Sequence, residues 1–313
     1  MMTFNPNYWA VIVGGSSGFG LATAQKLAAH GMNLCIVHRD RRGAMARIQP
    51  AFDELRATGV GVQTFNLDGL SEDGRTKVLD SLGETLGENG KVRMLLHAVA
   101  FGNLKLLVPY EGAEKPGQAR QKLAADAGVS SDVMDRIVGE AFKEGYDALY
   151  TMVDDGGDYS NRQLLGKGDF ARTTHAMGFN IVEWVQDILG RQLFADDARV
   201  LSLTSEGNGV AWKGYAAIAA AKAVLESVSR AMAVEFAPYG VRSNVIQAGI
   251  TETPALQAIP GSDRIRAQAN LRNPFGRLTT PADVANVIYL LCQDEAAWIN
   301  GALICADGGE RIA

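Results

Sequence analysis

The chain has 313 residues, of which 47% are hydrophobic and 21% charged, and its net charge is −5 at pH 7. This length suits one substantial α/β domain or two small domains. Glycine is abundant (35 residues) and proline scarce (9 residues), which favours tight strand-to-helix turns over a disordered or fibrous chain. The acidic balance, without a long basic run, argues against nucleic acid as the main partner.

Targeting and metal-binding signals are weak. Cys35, Cys292 and Cys305 lie in apolar runs without CxxC spacing, which predicts buried, reduced thiols and neither a disulfide framework nor a metal site. The first residues lack a signal-peptide pattern, and no apolar run approaches the ~20 residues that span a bilayer. We therefore expect a soluble, cytoplasmic protein.

Short apolar runs alternate with helical patterns along the chain. Strands are predicted at 9–15, 32–39, 62–68, 92–100, 198–205, 241–249 and 302–309. Helices are predicted over 19–31, 40–59, 216–238 and 282–293. Strands without polar alternation indicate a parallel sheet covered on both faces. The βαβαβ order therefore predicts one α/β domain with a doubly wound (Rossmann) sheet, and ligands at the carboxyl ends of the strands.

A long segment separates the fourth and fifth predicted strands. Residues 103–168 are predicted to form a helical insertion, with a mobile loop over 154–169. One amphipathic helix in it is marked by Met134, Val138, Ala141, Ala148 and Met152. A second helix over 169–189 carries the stripe Phe170, Thr174, Met177, Ile181, Trp184 and Ile188. The insertion is either a surface decoration or oligomer contact, or a lid over the substrate.

The stretch VIVGGSSGFG follows the first strand and opens a helix. A tight glycine turn at that place lets backbone N–H groups and the positive helix end meet a pyrophosphate. The alternative is a glycine-rich turn without a ligand. The predicted cofactor-binding residues are Gly14, Ser16, Ser17, Gly18, Phe19 and Gly20.

The sequence HRDRR ends the second strand, where an acidic residue would bind the ribose hydroxyls of NAD. Arg39, alone or with Arg41 or Arg42, can instead make charge-assisted bonds to a 2′-phosphate, which favours NADP(H). Asp40 is a counterargument, and the arginines are alternatively solvated charges at a helix start. Asp68, after the third strand, either accepts a hydrogen bond from the adenine amine or caps the next turn.

The stretch YAAIAAAK contains a tyrosine and a lysine seven residues apart. On a helix over 213–237, seven residues turn ~700°, so Tyr215 and Lys222 share one face with ~10 Å of rise between them. Position 218, four before the lysine, is isoleucine and has no proton to give. We expect Lys222 to hold the nicotinamide ribose and to lower the pKa of the phenol. The alternative is that Tyr215 only packs near a helix start.

Several motifs together resemble the short-chain dehydrogenase/reductase family: GGSSGFG, the Tyr–Lys helix, NVIQAGITET, FGRLTTPADVANVIYLL and ICADGG. The resemblance spans the chain except 103–168. The Tyr-x6-Lys spacing and LLHAVAFG (95–102) resemble the enoyl-acyl-carrier-protein reductase branch. This implies NADPH-dependent reduction of the 2,3 double bond of an enoyl thioester in fatty acid synthesis. Tyr215 would bond the thioester oxygen, and Lys222 would orient the ribose.

The same resemblance implies further contacts. Ile250, after Gly249, would meet the carboxamide through its backbone, and Thr253 would meet the pyrophosphate. Ala98 and Ala100 would lie along the adenosine ribose. The acyl chain, on acyl carrier protein or coenzyme A, would lie near Phe101, Ala255, Leu256 and Ile259. A homotetramer or homodimer is also implied, built partly on the surfaces of the fifth strand and the lysine helix.

One residue departs from the branch pattern. Enoyl reductases commonly carry an aromatic residue seventeen before the lysine, where this chain has Ser205 and ketoreductases have their catalytic serine. Ser205 bonds either a substrate oxygen or a backbone group. A carbonyl or hydroxysteroid-type ketoreductase using Ser205 and Tyr215 is therefore an alternative, and a non-enzymatic NADP(H)-binding interaction protein is another. His97 is expected to pack beside the cofactor.

Overall fold

The computed structural model describes residues 4–109, 115–153 and 163–313. Its centre is a seven-stranded sheet, with all strand pairs parallel and the order β3-β2-β1-β4-β5-β6-β7. The doubly wound prediction is thereby confirmed. The strands are β1 (Tyr8–Val13), β2 (Asn33–His38), β3 (Val62–Asn66), β4 (Lys91–His97), β5 (Phe194–Thr204), β6 (Val241–Ala248) and β7 (Leu303–Ala306).

Helices cover both faces of the sheet. Their bounds are α1 (Gly18–Ala28), α2 (Met45–Ala57), α3 (Glu72–Leu86), α4 (Lys115–Asp126), α5 (Ser131–Lys143), α6 (Asp147–Val153), α7 (Lys167–Thr174), α8 (Asn180–Gly190), α9 (Ala216–Glu235), α10 (Pro254–Gln257), α11 (Ser262–Arg272) and α12 (Pro281–Leu291).

Alternate residues of β1 explain why both faces are covered. Ala10 and Ile12 belong to one buried cluster, with side chains of α1, α2 and α12. Trp9, Val11 and Val13 belong to the other cluster, with side chains of α3, α8 and α9. Each face of an apolar strand is removed from water in this way. The strand order reverses between β1 and β4, so a crevice opens at their carboxyl ends.

The insertion has a small core of its own, formed by Ala124, Met134, Val138 and Val153. The prediction of one amphipathic helix is wrong. The chain turns at Gly145, whose φ is +89°, and so divides the segment into α5 and α6. Met152, predicted on the apolar face, is 70% exposed as a result.

The predicted loop at 154–169 lies mostly outside the described residues, and its last three residues begin α7. The predicted helix over 169–189 is interrupted by a π-helical turn at His175–Phe179. The extra residue of such a turn rotates the preceding face. Met177, Ile181, Trp184 and Ile188 are therefore buried, while Phe170 is exposed.

Cys35 and Cys292 are buried as predicted, and burial raises the pKa of both thiols. The prediction is wrong for Cys305, which is exposed because β7 forms an edge of the sheet. Among the residues that the structure describes, no helix combines the length and apolarity needed to cross a membrane, and no cluster of His, Cys, Asp or Glu could hold a metal ion.

Candidate active site

The glycine turn after β1 is shaped by close backbone approaches. Gly14 has φ +93°, and a Cβ there would lie 2.6 Å from the carbonyl oxygen of Ala98. A Cβ on Gly20 would lie 2.2 Å from the carbonyl oxygen of Gly14, so Gly20 serves the packing of α1 against the turn. Ser17 starts α1 without a side-chain cap. The helix N-terminus is therefore available to an anion.

A cavity of about 810 Å³ opens at this turn. It brings together ten of the predicted residues: Gly14, Ser16, Ser17, Gly18, Phe19, Arg39, Asp68, Ala98, Ala100 and Thr253. Glycine backbone, an open helix N-terminus and an arginine at one end fit a phosphorylated dinucleotide. The other predicted site residues, Gly20, Ser205, Tyr215, Lys222, Gly249 and Ile250, do not line this cavity. Sequence reasoning missed several lining residues, among them Asp40, Leu67, Pro254 and Ala258.

One end of the cavity is formed by Arg39, Asp68 and Phe101. The guanidinium of Arg39 donates to Asp68 Oδ2 at 2.8 Å and stacks 5.4 Å from the Phe101 ring centroid. Asp68 Oδ1 also accepts from the Leu70 N–H at 3.1 Å, so Asp68 caps the next turn, and its contact with adenine stays a prediction. Asp40 pairs with His38 Nδ1 at 2.9 Å, whereas Arg39 pairs with Asp68.

Tyr215 and Lys222 meet the carboxyl end of β5. Tyr215 is the N-cap of α9, before its first helical residue; the helix start predicted at 216 is confirmed, and the start at 213 used for the Tyr215–Lys222 spacing is three residues too early. The phenol lies 3.4 Å from Ser205 Oγ, and its ring packs against Gly207 and 5.2 Å from the ring of Trp212. Ser205 therefore contacts the tyrosine hydroxyl, an arrangement that neither predicted alternative included.

Burial is the largest influence on the pKa values of Tyr215 and Lys222. It raises the pKa of the Tyr215 phenol, against a smaller lowering by the Ser205 hydrogen bond. The expectation that Lys222 lowers this pKa is wrong, because the groups that shift it are the buried surroundings and Ser205, and the lysine is not among them. The pKa of Lys222 is lowered to about 8 by burial, opposed by the charge of Glu226. The Lys222 ammonium donates to the carbonyl of Leu203 at 2.8 Å.

Glu226, one helical turn after Lys222, was missed. Its Oε1 accepts from Thr204 Oγ1 at 2.7 Å and from the side-chain amide of Asn208. These bonds tie α9 to the end of β5 and to the segment that follows Ser205. The i, i+4 spacing from the lysine was the signal that could have identified it.

The backbone N–H of Ile250, predicted to lie beside the carboxamide, is bonded within the chain. It donates to Glu310 Oε2 at 3.1 Å. The side chain of Arg272 donates to both Glu310 and Glu206, which links the C-terminal segment to the loop after Ser205. These three residues lie far apart in sequence, and no local pattern marks them.

The four residues predicted to lie beside an acyl chain are found in different parts of the structure. Leu256 is buried against Ile250 and Ala269 and does not line the cavity, whereas Phe101 stacks on Arg39 in the cavity wall. Ala255 lines the cavity. Ile259, like Trp212, packs against the cluster of buried side chains that contains Tyr215.

A doubly wound sheet with this glycine turn, and with a serine, tyrosine and lysine gathered at the same edge, is typical of oxidoreductases that bind a nicotinamide dinucleotide. Two family models match the chain: short chain dehydrogenase over residues 8–111, and enoyl-(acyl carrier protein) reductase over residues 165–310. The chain belongs to the short-chain dehydrogenase/reductase family. Neither match includes residues 112–164, which form most of the insertion.

Similar proteins have diverse activities. The chain is 27% identical to cis-4-hydroxycyclohexanecarboxylate dehydrogenase of Sinomonas cyclohexanicum, over 96% of this chain and 95% of the relative. Two solved structures share its fold. One is an NADH-type enoyl-[acyl-carrier-protein] reductase of Aquifex aeolicus (TM-score 0.69, 20% identity, 98% and 97% of the two chains). The other is a short chain dehydrogenase of Burkholderia cenocepacia in complex with NADP. Its TM-score is 0.68 at 19% identity, and the match covers 97% of this chain and 98% of that chain.

Proposed function

We propose that the protein reduces the 2,3 double bond of an enoyl thioester with NADPH, as an enoyl-acyl-carrier-protein reductase in fatty acid synthesis. The observation that carries the proposal is the position of Tyr215. Its phenol meets Ser205 at the end of β5, while Ile218, at the usual proton-donor position, is buried against Met177 and Ala221. The family-model match over residues 165–310 supports the same branch.

Tyr215 and Lys222 would have different roles in this reduction. The glycine turn and Arg39 would hold NADPH, which would supply a hydride for the β-carbon of the substrate. Negative charge then develops on the thioester oxygen, and the Tyr215 hydroxyl stabilises it by donating a hydrogen bond. Because burial keeps the phenol protonated, Tyr215 can also give its proton to the substrate. Lys222, whose ammonium is held at the end of β5 by the Leu203 carbonyl, would orient the ribose of the bound dinucleotide.

The preference for NADPH rests on Arg39. Its guanidinium is 58% exposed at the end of the cavity, where a 2′-phosphate can accept two charge-assisted hydrogen bonds. The pair with Asp68 is half-exposed, so breaking it costs at most ~1 kcal/mol. A phosphate can therefore displace Asp68 from the arginine.

Arg39→Ala is expected to raise the KM for NADPH by about 10- to 100-fold, the value of a charge-assisted hydrogen bond. The KM for NADH should change less than threefold. Both values follow from initial rates with each cofactor. Arg42→Ala is the matched control, because Arg42 does not line the cavity and should leave both values unchanged. An equal loss with NADPH and NADH would contradict the assignment of Arg39 to the 2′-phosphate.

The substrate class is tested by initial rates of NADPH oxidation with crotonyl and acetoacetyl thioesters, each as coenzyme A and acyl-carrier-protein forms. The proposal predicts turnover of the crotonyl thioester at a rate at least tenfold above the acetoacetyl thioester. Turnover of the acetoacetyl thioester alone would overturn it. The carrier that gives the higher kcat/KM identifies the natural form of the substrate.

A carbonyl or hydroxysteroid-type ketoreductase is the second candidate. The contact between Ser205 and Tyr215 favours it, since two hydroxyl groups side by side can both donate to a carbonyl oxygen. The two candidate functions predict different activities for the Ser205→Ala variant. A ketoreductase would lose most of its activity, whereas the proposed enoyl reductase retains Tyr215 as its donor. A non-enzymatic NADP(H)-binding protein is disfavoured by the gathering of Ser205, Tyr215 and Lys222.

We also propose that the chain forms a homodimer or homotetramer. Large apolar side chains are exposed on and near the edge strand β7, including Trp298 (96% exposed), Ile312 (89%) and Leu303 (44%). Exposed edge strands and apolar patches favour association. Light scattering on the purified protein tests this proposal, and a monomer at micromolar concentration would contradict it.

A further inference from the structure

The insertion between β4 and α7 begins and ends beside the candidate active site. The N–H of Leu165 donates to the carbonyl of Leu106 at 2.8 Å, so the two ends of the insertion are joined. Leu104, two residues before that bond, packs against the buried cluster that contains Tyr215. The root of the insertion therefore supplies part of the apolar surface around the tyrosine.

The helices of the insertion also contact α11, which lies on the C-terminal side of the site. α6 packs against α11, and the Asn270 side-chain amide donates to Asp147 Oδ2 at 2.7 Å. Asp147 is only 8% exposed, so its carboxylate is largely removed from water. The guanidinium of Arg266 lies 5.4 Å from the ring centroid of Phe142, near the end of α5. Two side-chain contacts thus join the insertion to α11.

α11 depends on such contacts because it buries little apolar surface. Only Ala267 and Ala269 are buried in its sequence, SDRIRAQANLR, and hydrophobic stabilisation scales with the apolar area removed from water. A helix of 11 residues is also marginal on its own in water. Arg272 attaches the last turn to Glu206 and Glu310. The middle of the helix is held by the insertion.

The segment that leads into α11 supplies the other part of the apolar surface around Tyr215. Ile259, three residues before α11, packs against the same cluster as Leu104. Leu256 of α10 shares a second cluster with Ala269 of α11. A displacement of α11 would therefore disturb α10 and Ile259 as well. The insertion carries one of the two apolar residues at Tyr215 and holds the helix that positions the other.

We propose that the insertion acts as a clasp, in which Asp147 and Asn270 are positioning residues that hold α11 and so form the substrate wall before the substrate binds. Leu104 and Ile259 would contact the apolar part of the substrate. Neither Asp147 nor Asn270 lines the cavity. Asp147 also lies outside both family-model matches, so the family pattern does not supply this contact.

The clasp should act on substrate binding rather than on the chemical step. A wall that is ordered in the free protein loses less conformational entropy when the substrate binds, which increases affinity. The rate of hydride transfer is unaffected, because the Asp147–Asn270 pair does not contact Tyr215 or the glycine turn. This argument applies equally to an enoyl and to a keto substrate, so it does not depend on the proposed function.

Hydrogen exchange of the free protein tests the clasp without any substrate. The amides of α11 should be protected in the wild-type protein. Asn270→Ala leaves the buried Asp147 carboxylate without this partner, and exchange over 262–272 should become about 10- to 100-fold faster, the value of one hydrogen bond to a charged group. Gln268→Ala is the matched control, because Gln268 is an exposed amide on the same helix. Equal protection of α11 in Asn270→Ala and in the wild type would overturn the clasp.

Steady-state kinetics test the positioning role with whichever thioester the wild-type protein reduces. Asn270→Ala should raise KM by about fivefold or more and leave kcat within about threefold. Asp147→Asn keeps an acceptor for the Asn270 amide, so its KM should stay within about threefold of wild type.

An equal fall of kcat in Asn270→Ala, or faster exchange throughout the sheet, would mean that the pair only stabilises the fold, and would overturn the positioning role. If the wild-type protein reduces only the keto thioester, the proposed function fails, while the KM effect is still measured with that substrate.

Discussion

Replacing Tyr215 with phenylalanine is expected to lower kcat for enoyl-thioester reduction by about 10²- to 10³-fold, the value of one donor to a developing oxyanion. The variant removes only the hydroxyl that meets Ser205. The ring keeps its contacts with Gly207 and Trp212, so stability and NADPH affinity should change little. Single-turnover absorbance measurements of NADPH oxidation, together with a binding titration, check both expectations.

Tyr239→Phe is the matched control, because that side chain is 58% exposed and lies after α9, away from the site. It should retain wild-type kinetics. Reduction within threefold of wild type in the Tyr215 variant would mean that Tyr215 only packs, and that another group stabilises the transition state.

Replacing Lys222 with methionine should abolish reduction and yet stabilise the protein in the absence of cofactor. Lys222 is a buried cation whose pKa is lowered from 10.5 to about 8 by loss of water. A shift of this size corresponds to roughly 3 kcal/mol of unfavourable interaction. The lost hydrogen bond to Leu203 offsets about 1 kcal/mol of the gain. We therefore expect a net increase of about 2 kcal/mol in the free energy of unfolding at neutral pH.

The stability difference between the wild-type protein and the Lys222→Met variant should depend on pH. Below about pH 8, the lysine is charged in both the folded and unfolded states, and the full penalty of burying the charge applies. As the pH rises from about 8 to 10.5, the folded state loses the proton first, so the wild-type protein gains stability. The advantage of the methionine variant should therefore shrink across that range.

Urea unfolding of both proteins at neutral pH and near pH 10 measures this difference. Lys122→Met is the control, since Lys122 is 74% exposed beside Asp126 and should give no comparable gain. A Lys222→Met protein that is less stable than wild type at neutral pH would contradict the account of a costly buried charge.

The sequence predicted the sheet well because its signals are local. An apolar run such as 9–15 followed by glycines specifies a buried strand and a turn whatever lies elsewhere in the chain. The same holds for the open N-terminus of α1 and for Arg39 at the end of β2. Gly20 was placed at the cofactor, but its role is packing against Gly14. Both roles demand a glycine, so residue type alone does not separate them.

The rest depends on contacts between distant segments. The Ile250 N–H is bonded to Glu310, 60 residues away in sequence, and Arg272 joins Glu310 to Glu206. No periodicity encodes such a network. The π-helical turn after α7 was missed because a helix with one extra residue keeps most of its apolar pattern.

The central claim, that Tyr215 serves double-bond reduction, is tested most directly by following the transferred hydrogen. The protein would receive equal amounts of crotonyl and acetoacetyl thioester with NADPH deuterated at both C4 positions, and the products would be separated by mass spectrometry. Our account predicts butyryl thioester carrying deuterium at the β-carbon as the main product of the wild-type enzyme, and its loss in Tyr215→Phe. Deuterium in 3-hydroxybutyryl thioester alone would contradict it and would make the protein a ketoreductase.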